Sequence, residues 1–143
     1  MHRAAAEVVS HGLRKRGRFC IAPQNLTEFA AVVTRPRFVD PPLDPRECAR
    51  RAGDLYRSRT LGKIYPKRGT ILRALREGAA RGVTGAGWYD LFLAATMRDA
   101  RVRTIVTENA RDFREFDFLN VLSIEETRER LAEEGAPLAP SAD

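Results

Sequence analysis

The sequence has 143 residues, which is enough for one domain and leaves little room for a second. Hydrophobic residues make up 43% of it and charged residues 31%, an ordinary globular balance that excludes a disordered chain. The formal net charge of +6 favours a polyanionic partner such as nucleic acid, although many small basic proteins bind none.

The first half of the chain predicts three helices and two strands. Cations at residues 14–16 followed by Gly17 are a helix stop signal, and Pro36 ends the second helix. Asp44 followed by Pro45 is typical of an N-cap and a first helical residue. The predicted elements are a helix over about 4–16, a buried strand over 18–22, a helix over 23–34, a helix over 45–58 and a weak strand over 61–65.

The second half of the chain also alternates between predicted helices and predicted strands. A Gly-rich turn at residues 82–87 precedes a helix that is apolar nearly all round and therefore predicted to be buried. The predicted elements are a helix over 67–80, that buried helix over 88–100, a strand over 102–106, a short helix or turn over 109–116, a strand over 119–124 and a charged helix over 125–134. Strands alternating with helices indicate an α/β domain over residues 1–134, with a mainly parallel central sheet flanked by helices on both faces. Residues 135–143 are predicted to be a flexible tail.

Parallel sheets bind ligands outside the carboxyl ends of their strands, so polar residues just past strands or at helix starts are candidates for a site. Glu28 lies in the helix after strand 18–22, and it either faces solvent or points into a site. Asp90 begins the most hydrophobic helix. It could simply cap that helix, but a carboxylate near the interior needs a cation or hydrogen bonds.

A third group follows strand 102–106, where Asp112 could belong to a site or be a loop-surface charge. Clustered carboxylates suit Mg²⁺ or Mn²⁺, which are hard cations that take oxygen ligands. Such cations activate water and neutralise phosphate charge in phosphodiester cleavage. If Glu28, Asp90 and Asp112 share a cation, we expect their carboxylates within roughly 4–8 Å of one another.

Five segments together resemble PIN-domain ribonucleases of the VapC toxin type, and they cover nearly the whole chain in order. They are residues 19–29, 32–36, 89–96, 105–109 and 111–113. The resemblance implies a PIN-like three-layer sandwich and a metal-dependent endoribonuclease that uses Mg²⁺ or Mn²⁺. It also implies the toxin of a toxin–antitoxin pair, which acts on RNA, is often a homodimer and is held inactive by a small antitoxin protein.

The same resemblance assigns the site residues. Glu28 and Asp90 match the family's acids on the second helix and at the start of the central helix, and Asp112 matches the acid before a Phe. Asn109 stands where many members have Asp, and it would be a neutral, weaker metal ligand. Thr107 would position a ligand or a water molecule.

The chain departs from the family pattern at its N-terminus. The family begins with a strand that carries an Asp-Thr/Ser-Asn motif, whose Asp is a principal metal ligand, whereas this chain opens in the helix that normally follows that strand. Glu7 is the only acid before Glu28, and its helical setting makes it a poor substitute. We interpret the domain as N-terminally incomplete, and we favour a start codon placed too late or a truncated gene over a decayed gene or a residue that substitutes for the missing Asp. An upstream reading frame that encodes an Asp-bearing apolar strand would support the late start, and a stop codon directly upstream would contradict it.

Other residues have two interpretations each. Arg35, Arg37 and Arg111 could form a phosphate-binding rim, but a solvated surface explains each of them as well. Trp88 and Tyr89 could stack on a base, although aromatic residues beside a buried helix more often belong to the core.

Two other functional classes fit the sequence. One is a catalytically impaired PIN-like protein that binds RNA or an antitoxin without cleaving. The other is an unrelated small α/β domain whose acids are surface charges. Metal-dependent cleavage of RNA that is lost on Asp90→Asn would separate the enzyme from both.

Cysteine usage and hydropathy indicate where in the cell the protein is expected to be. Cys20 and Cys48 form no C-x-x-C pair, which argues against a zinc site or a disulfide framework. Residues 1–7 contain no long apolar run of the kind found in signal peptides. No apolar stretch approaches the ~20 residues that cross a bilayer. We therefore expect a cytoplasmic protein that does not enter a membrane.

Overall fold

The computed structural model describes residues 2–135, so the predicted tail over 135–143 lies outside the described residues except for Gly135. Each helix and strand predicted from the sequence occurs at its predicted place. The elements are α1 (His2–Arg14), β1 (Cys20–Ile21), α2 (Pro23–Val33), α3 (Pro45–Arg57), β2 (Gly62–Lys63), α4 (Arg68–Arg81), α5 (Gly87–Asp99), β3 (Thr104–Val106), α6 (Ala110–Phe113), β4 (Asn120–Leu122) and α7 (Ile124–Gly135). Among the described helices, none has the length and apolar character to span a bilayer.

The strands form two separate parallel pairs. Strand β1 pairs with β2, with Cys20 opposite Gly62, and β3 pairs with β4, with Thr104 opposite Asn120. The predicted α/β class and parallel pairing are confirmed. The single central sheet is not found within residues 2–135, because β1 and β3 do not pair with each other and each pair remains a two-stranded sheet.

Helix α5 forms the centre of the core, as its apolar sequence predicts. Leu91 is 2% exposed and Ala94 1% exposed, and the helix packs against β3 and the segment that follows it. Burial of such side chains contributes roughly 1.5–3 kcal/mol each for Leu-sized groups. The core cluster consists of Ala22, Ala74, Leu91, Leu93, Ala94, Ala95, Met97, Ile105, Phe113 and Phe116.

Helix α4 packs against α5 through small residues at a spacing of four. Thr70, Ala74 and Gly78 are its buried positions, which puts them in one row along the helix and lets the two backbones approach closely. The larger apolar side chains of α4 remain exposed on another face, at Ile71, Leu72 and Leu75. The helix therefore has both a buried row of small residues and an exposed apolar face.

A polar contact joins the start of α4 to the end of α5. The buried Thr70 hydroxyl donates a hydrogen bond to the Asp99 carboxylate, and Arg73 pairs with the same carboxylate. The Thr70 hydrogen bond, followed by the charge of Arg73, holds the pKa of Asp99 below its usual range. This contact fixes the relative position of the two helices at the end opposite Asp90.

The start of α3 provides a test of the capping signal in the sequence. Asp44 Oδ1 accepts hydrogen bonds from the backbone N–H groups of Arg46 at 2.9 Å and Glu47 at 3.2 Å. We expect Asp44→Ala to lower the free energy of unfolding by about 1 kcal/mol, because two helix N–H groups lose their partner. Urea denaturation would measure this, and Asp44→Asn, which keeps an acceptor oxygen, should lose much less. Equal losses for both variants would show that the cap bonds contribute little.

Candidate functional site

A cavity of about 1090 Å³ lies between the two strand pairs. Residues of β1 and β3 line it, and side chains of α1, α5 and α7 complete its walls. All five residues that the sequence predicted as catalytic, metal-binding or supporting line this one cavity. They are Glu28, Asp90, Thr107, Asn109 and Asp112.

Glu28 reaches the cavity because α2 begins directly after β1. The side chain of Asn25 accepts a hydrogen bond from the Ala22 N–H at 2.8 Å, and Pro23 starts the helix with its preset backbone angle. Strand β1 therefore turns into α2 without an intervening loop. Glu28 lies in the second turn of that helix with its side chain exposed to solvent.

Gln24 is a functional candidate that the sequence analysis missed. Its side-chain amide donates to Glu28 Oε1 at 2.7 Å and to the backbone carbonyl of Tyr89 at 3.0 Å. It thus links α2 to the first turn of α5, next to Asp90. The signal was available, because Gln24 and Glu28 are four residues apart and share a helix face.

Asp90 lies in the first turn of α5 and is half-buried. The residue at the N-cap of α5 is Ala86, so Asp90 is not the cap of this helix. Burial, followed by the negative charges of Asp112, Glu28 and Glu115, raises the pKa of the Asp90 carboxyl. The side chain therefore occupies a region of concentrated negative charge, which would favour a bound cation.

The neighbouring aromatic residues have different roles. Trp88 packs against the core, with its ring centroid 6.2 Å from that of Phe92. Tyr89 is 63% exposed at the mouth of the cavity. Of the two, only Tyr89 is placed to contact a ligand.

The loop after β3 is organised by its own side chains. Thr107 Oγ1 accepts a hydrogen bond from the Asn109 N–H at 3.1 Å, and the Asn109 side-chain amide donates to the Asp112 carboxylate. The Thr107 N–H extends the β4 pairing by donating to the Leu122 carbonyl at 2.9 Å. Asn109 therefore orients Asp112, while Thr107 shapes the loop.

The side chains that line the cavity carry the oxygen ligands that a divalent cation prefers, but among the described residues they are not close enough together to form a compact metal site. Carboxylate and amide oxygens are the hard ligands that Mg²⁺ and Mn²⁺ take, and the mutual repulsion of the acids favours a cation. However, no group of three His, Cys, Asp or Glu side chains within residues 2–135 is placed to hold one ion. The predicted ligands Glu28, Asp90, Asn109 and Asp112 share a cavity and remain a prediction as a metal site.

The predicted phosphate rim is spread over the surface. Arg35, Arg37 and Arg111 are exposed, and Arg37 lies over the Phe38 ring at 5.9 Å. None of the three is among the described residues that line the cavity; its arginines are Arg18, Arg103 and Arg130. Arg18 is paired with Glu134, so Arg103 and Arg130 are the better candidates for contacts with a phosphate.

The chain matches none of the known family models against which it was scanned, and it has no match among curated proteins.

Proposed function

We propose that this chain is a metal-dependent endoribonuclease of the PIN-domain, VapC-toxin type, which hydrolyses RNA phosphodiester bonds at the acidic site formed by Glu28, Asp90 and Asp112. The finer fold assignment, a PIN-like three-layer sandwich, is part of the same proposal. Mg²⁺ or Mn²⁺ would be the cofactor.

One observation carries the proposal. Three segments that are far apart in the sequence place acids in the same cavity: Glu28 on α2, Asp90 on α5 and Asp112 on α6. Two of these segments directly follow β1 and β3, at the carboxyl ends where parallel strands present ligand-binding groups. The charges of Asp112 and Glu28 also raise the pKa of Asp90, which supports their proximity within that cavity.

The residues have separable roles. Gln24 holds Glu28 against the first turn of α5, and Asn109 holds Asp112. Burial and the acidic neighbours raise the pKa of Asp90, and a bound cation would relieve the repulsion between these carboxylates. A divalent cation held by these oxygens would supply an activated water and would neutralise phosphate charge.

A second candidate is a PIN-like protein that binds RNA or an antitoxin without cleaving. The absence of a three-residue metal group within residues 2–135 favours it over a complete active site. The net charge of +6 suits RNA in either case. The exposed apolar face of α4, at Ile71, Leu72 and Leu75, would suit a protein contact such as a homodimer or an antitoxin.

The decisive experiment measures cleavage of an unstructured RNA oligonucleotide by the purified chain with Mg²⁺ or Mn²⁺. We expect Asp90→Asn to lower the rate by more than about 100-fold, since loss of even an outer contact to a metal site costs roughly 10–100-fold. Asp117→Asn is the matched control, because Asp117 is exposed and does not line the cavity.

Three results are distinguishable. Cleavage that survives in Asp117→Asn and is lost in Asp90→Asn supports the enzyme. RNA binding without cleavage by any of the three proteins supports the non-cleaving candidate. Equal cleavage by wild type and Asp90→Asn would overturn the acidic site.

A further inference from the structure

The positive charge of the chain is concentrated in residues 55–76. This segment contains seven Lys and Arg residues and no Asp or Glu, so its charge is +7, whereas the net charge of the whole chain is +6. The other residues together therefore carry a charge of −1. In the structure the segment covers the end of α3, strand β2 and the first part of α4. A local excess of one sign raises the concentration of oppositely charged partners at that part of the surface.

The charged side chains of α3 show what a balanced surface looks like in this protein. Glu47 and Asp54 each pair with two arginines of the same helix, at distances between 2.7 and 2.9 Å. Arg59 and Arg68, in the segment without acids, are also exposed, but neither belongs to an ion pair among residues 2–135. Their charges are therefore open to a partner.

The turn between α3 and β2 brings two tyrosines together. Lys63 Nζ donates hydrogen bonds to the backbone carbonyls of Ser58 and Leu61, which closes the turn directly after α3. Tyr56 and Tyr65, nine residues apart in the sequence, meet at their hydroxyl groups, whose oxygens are 2.6 Å apart. The closed turn and this hydrogen bond hold the two rings in one arrangement.

Both tyrosine rings are exposed to solvent. Tyr56 is 45% exposed and Tyr65 is 49% exposed, whereas Trp88 packs against the core. A hydrogen bond between two exposed hydroxyls contributes little to stability, because water can replace either partner. The stability of the fold therefore does not account for a fixed pair of exposed rings. Arg59 follows Tyr56 by three residues and Arg68 follows Tyr65 by three, so each ring has an unpaired cation close to it in the chain.

Fixed, exposed rings near unpaired cations are features with which proteins bind single-stranded nucleic acid. Bases stack on the rings, and Lys or Arg side chains contact the phosphates. Charge alone would also suit a nucleic-acid duplex or an acidic protein segment. The rings favour a single strand, because only unpaired bases expose flat faces for stacking.

We propose that Tyr56, Tyr65, Arg59 and Arg68 form a binding surface for single-stranded RNA, on which bases stack against the two rings while the guanidinium groups contact phosphates. The choice of RNA as the nucleic acid rests on the proposed function, whereas the surface itself rests on the charge and the exposed rings. None of the four residues lines the acidic cavity. The surface would therefore hold a strand outside the proposed site of cleavage and contribute to affinity.

The first experiment measures the equilibrium binding of a labelled, unstructured RNA of about 12 nucleotides by fluorescence anisotropy, with EDTA present so that metal-dependent cleavage does not occur. We expect Tyr65→Ala to raise the Kd by about 5-fold to 150-fold, the loss expected for one stacked base. The matched variant Tyr65→Phe keeps the ring and removes only the hydroxyl, so it should lose much less. An RNA duplex of the same sequence should bind more weakly than the single strand. Equal Kd values for the wild type and Tyr65→Ala would overturn the proposal.

The dependence of the Kd on salt tests the phosphate contacts. Replacing Arg59 and Arg68 together by Gln should lower the slope of log Kd against log salt concentration by about 1.4, because two contacts to a single strand are lost. The matched control replaces Arg14 and Arg16 together by Gln, which removes the same charge from two exposed arginines that do not line the cavity. This control should keep the wild-type slope. Equal slopes for the two double variants would show that only the net charge matters and would overturn the surface.

Nuclear magnetic resonance locates the contact without any substitution. When the RNA is added to the wild-type chain in EDTA, backbone amide signals within residues 56–68 should shift, and shifts confined to the lining of the acidic cavity would overturn the proposal. A single-stranded DNA that binds as tightly as the RNA would overturn the choice of RNA. Displacement of the RNA by a lower concentration of poly-glutamate would instead assign the surface to an acidic protein. Binding at this surface without cleavage in Mg²⁺ would support the surface and contradict the proposed enzyme, so the two failures are distinguishable.

Discussion

In the absence of divalent cations, the Asp90→Asn variant should unfold at a higher temperature than the wild type at pH 7. Burial and the charges of Asp112 and Glu28 raise the pKa of Asp90 above its usual value of 3.8. The native state therefore binds the proton of Asp90 more tightly than the unfolded state does. The stability that this proton contributes is complete below pH 3.8 and is lost as the pH rises through the raised pKa. Asparagine carries no charge at any pH, so the difference between the two proteins should disappear near pH 3.8.

With added Mg²⁺, the wild type should instead unfold at a higher temperature than Asp90→Asn. A ligand that binds only the native state at 100 times its Kd stabilises it by about 2.7 kcal/mol, and the variant lacks one of the proposed ligands. Thermal unfolding followed by circular dichroism from pH 3.5 to 8, with EDTA or with Mg²⁺, measures both effects. Asp117→Asn should follow the wild type in every condition. A cation-free Asp90→Asn protein that is less stable than the wild type at pH 7 would mean that Asp90 has a structural partner.

Gly78→Ala should destabilise the protein, although alanine normally stabilises a helix relative to glycine. A methyl group at Gly78 would lie 2.5 Å from Trp88 Cζ3 and 2.9 Å from Leu91 Cδ2, closer than atoms can pack. We expect a loss of about 1–3 kcal/mol in the free energy of unfolding, typical of an overpacked core. Trp88 and Leu91 flank Asp90 in the first turns of α5, so the displacement should also weaken the proposed binding of a cation.

The matched control is Gly69→Ala in the same helix. A methyl group there would meet only the guanidinium of Arg73 at 3.1 Å, the movable end of a long side chain. This variant should gain up to about 1 kcal/mol, because alanine restricts the unfolded chain. Urea denaturation of the two variants tests the contrast. If both gained stability, the packing of α4 against α5 would be looser than the structure shows.

Local signals predicted the elements well. The Asp44-Pro45 pair located the start of α3, and the continuous apolar pattern of α5 identified the buried helix, because caps and periodicity depend only on nearby residues. Strand lengths were overestimated: residues 18–22 were predicted as a strand, and only Cys20–Ile21 pair. Pairing depends on a neighbouring strand that is distant in the sequence, which local patterns cannot supply.

The candidate site was predicted only in part, because local patterns indicate which residues belong to it but not how those residues are spaced. Glu28, Asp90 and Asp112 were chosen as candidates from their positions after strands and at helix starts, and they line one cavity, while their role as a metal site stays a prediction. Their spacing within it depends on how β1 and β3 are held relative to each other, which no local pattern encodes. The spacing of Gln24 and Glu28 was a local signal, but the second contact of Gln24, with the Tyr89 carbonyl, joins residues 65 apart in the sequence and could not be predicted from it.

Within residues 2–135, β1 pairs only with β2 and β3 only with β4, so each has one edge without a strand partner, and this affects the handling of the purified chain. Exposed strand edges are templates for pairing between molecules, and proteins normally cover or charge them to avoid aggregation. Here they flank a cavity whose lining includes apolar side chains such as Val8, Leu93 and Met97, so we expect extended segments from unfolded or neighbouring molecules to add to them. The solubility of the 143-residue chain should therefore fall steeply with protein concentration and with any treatment that populates unfolded molecules.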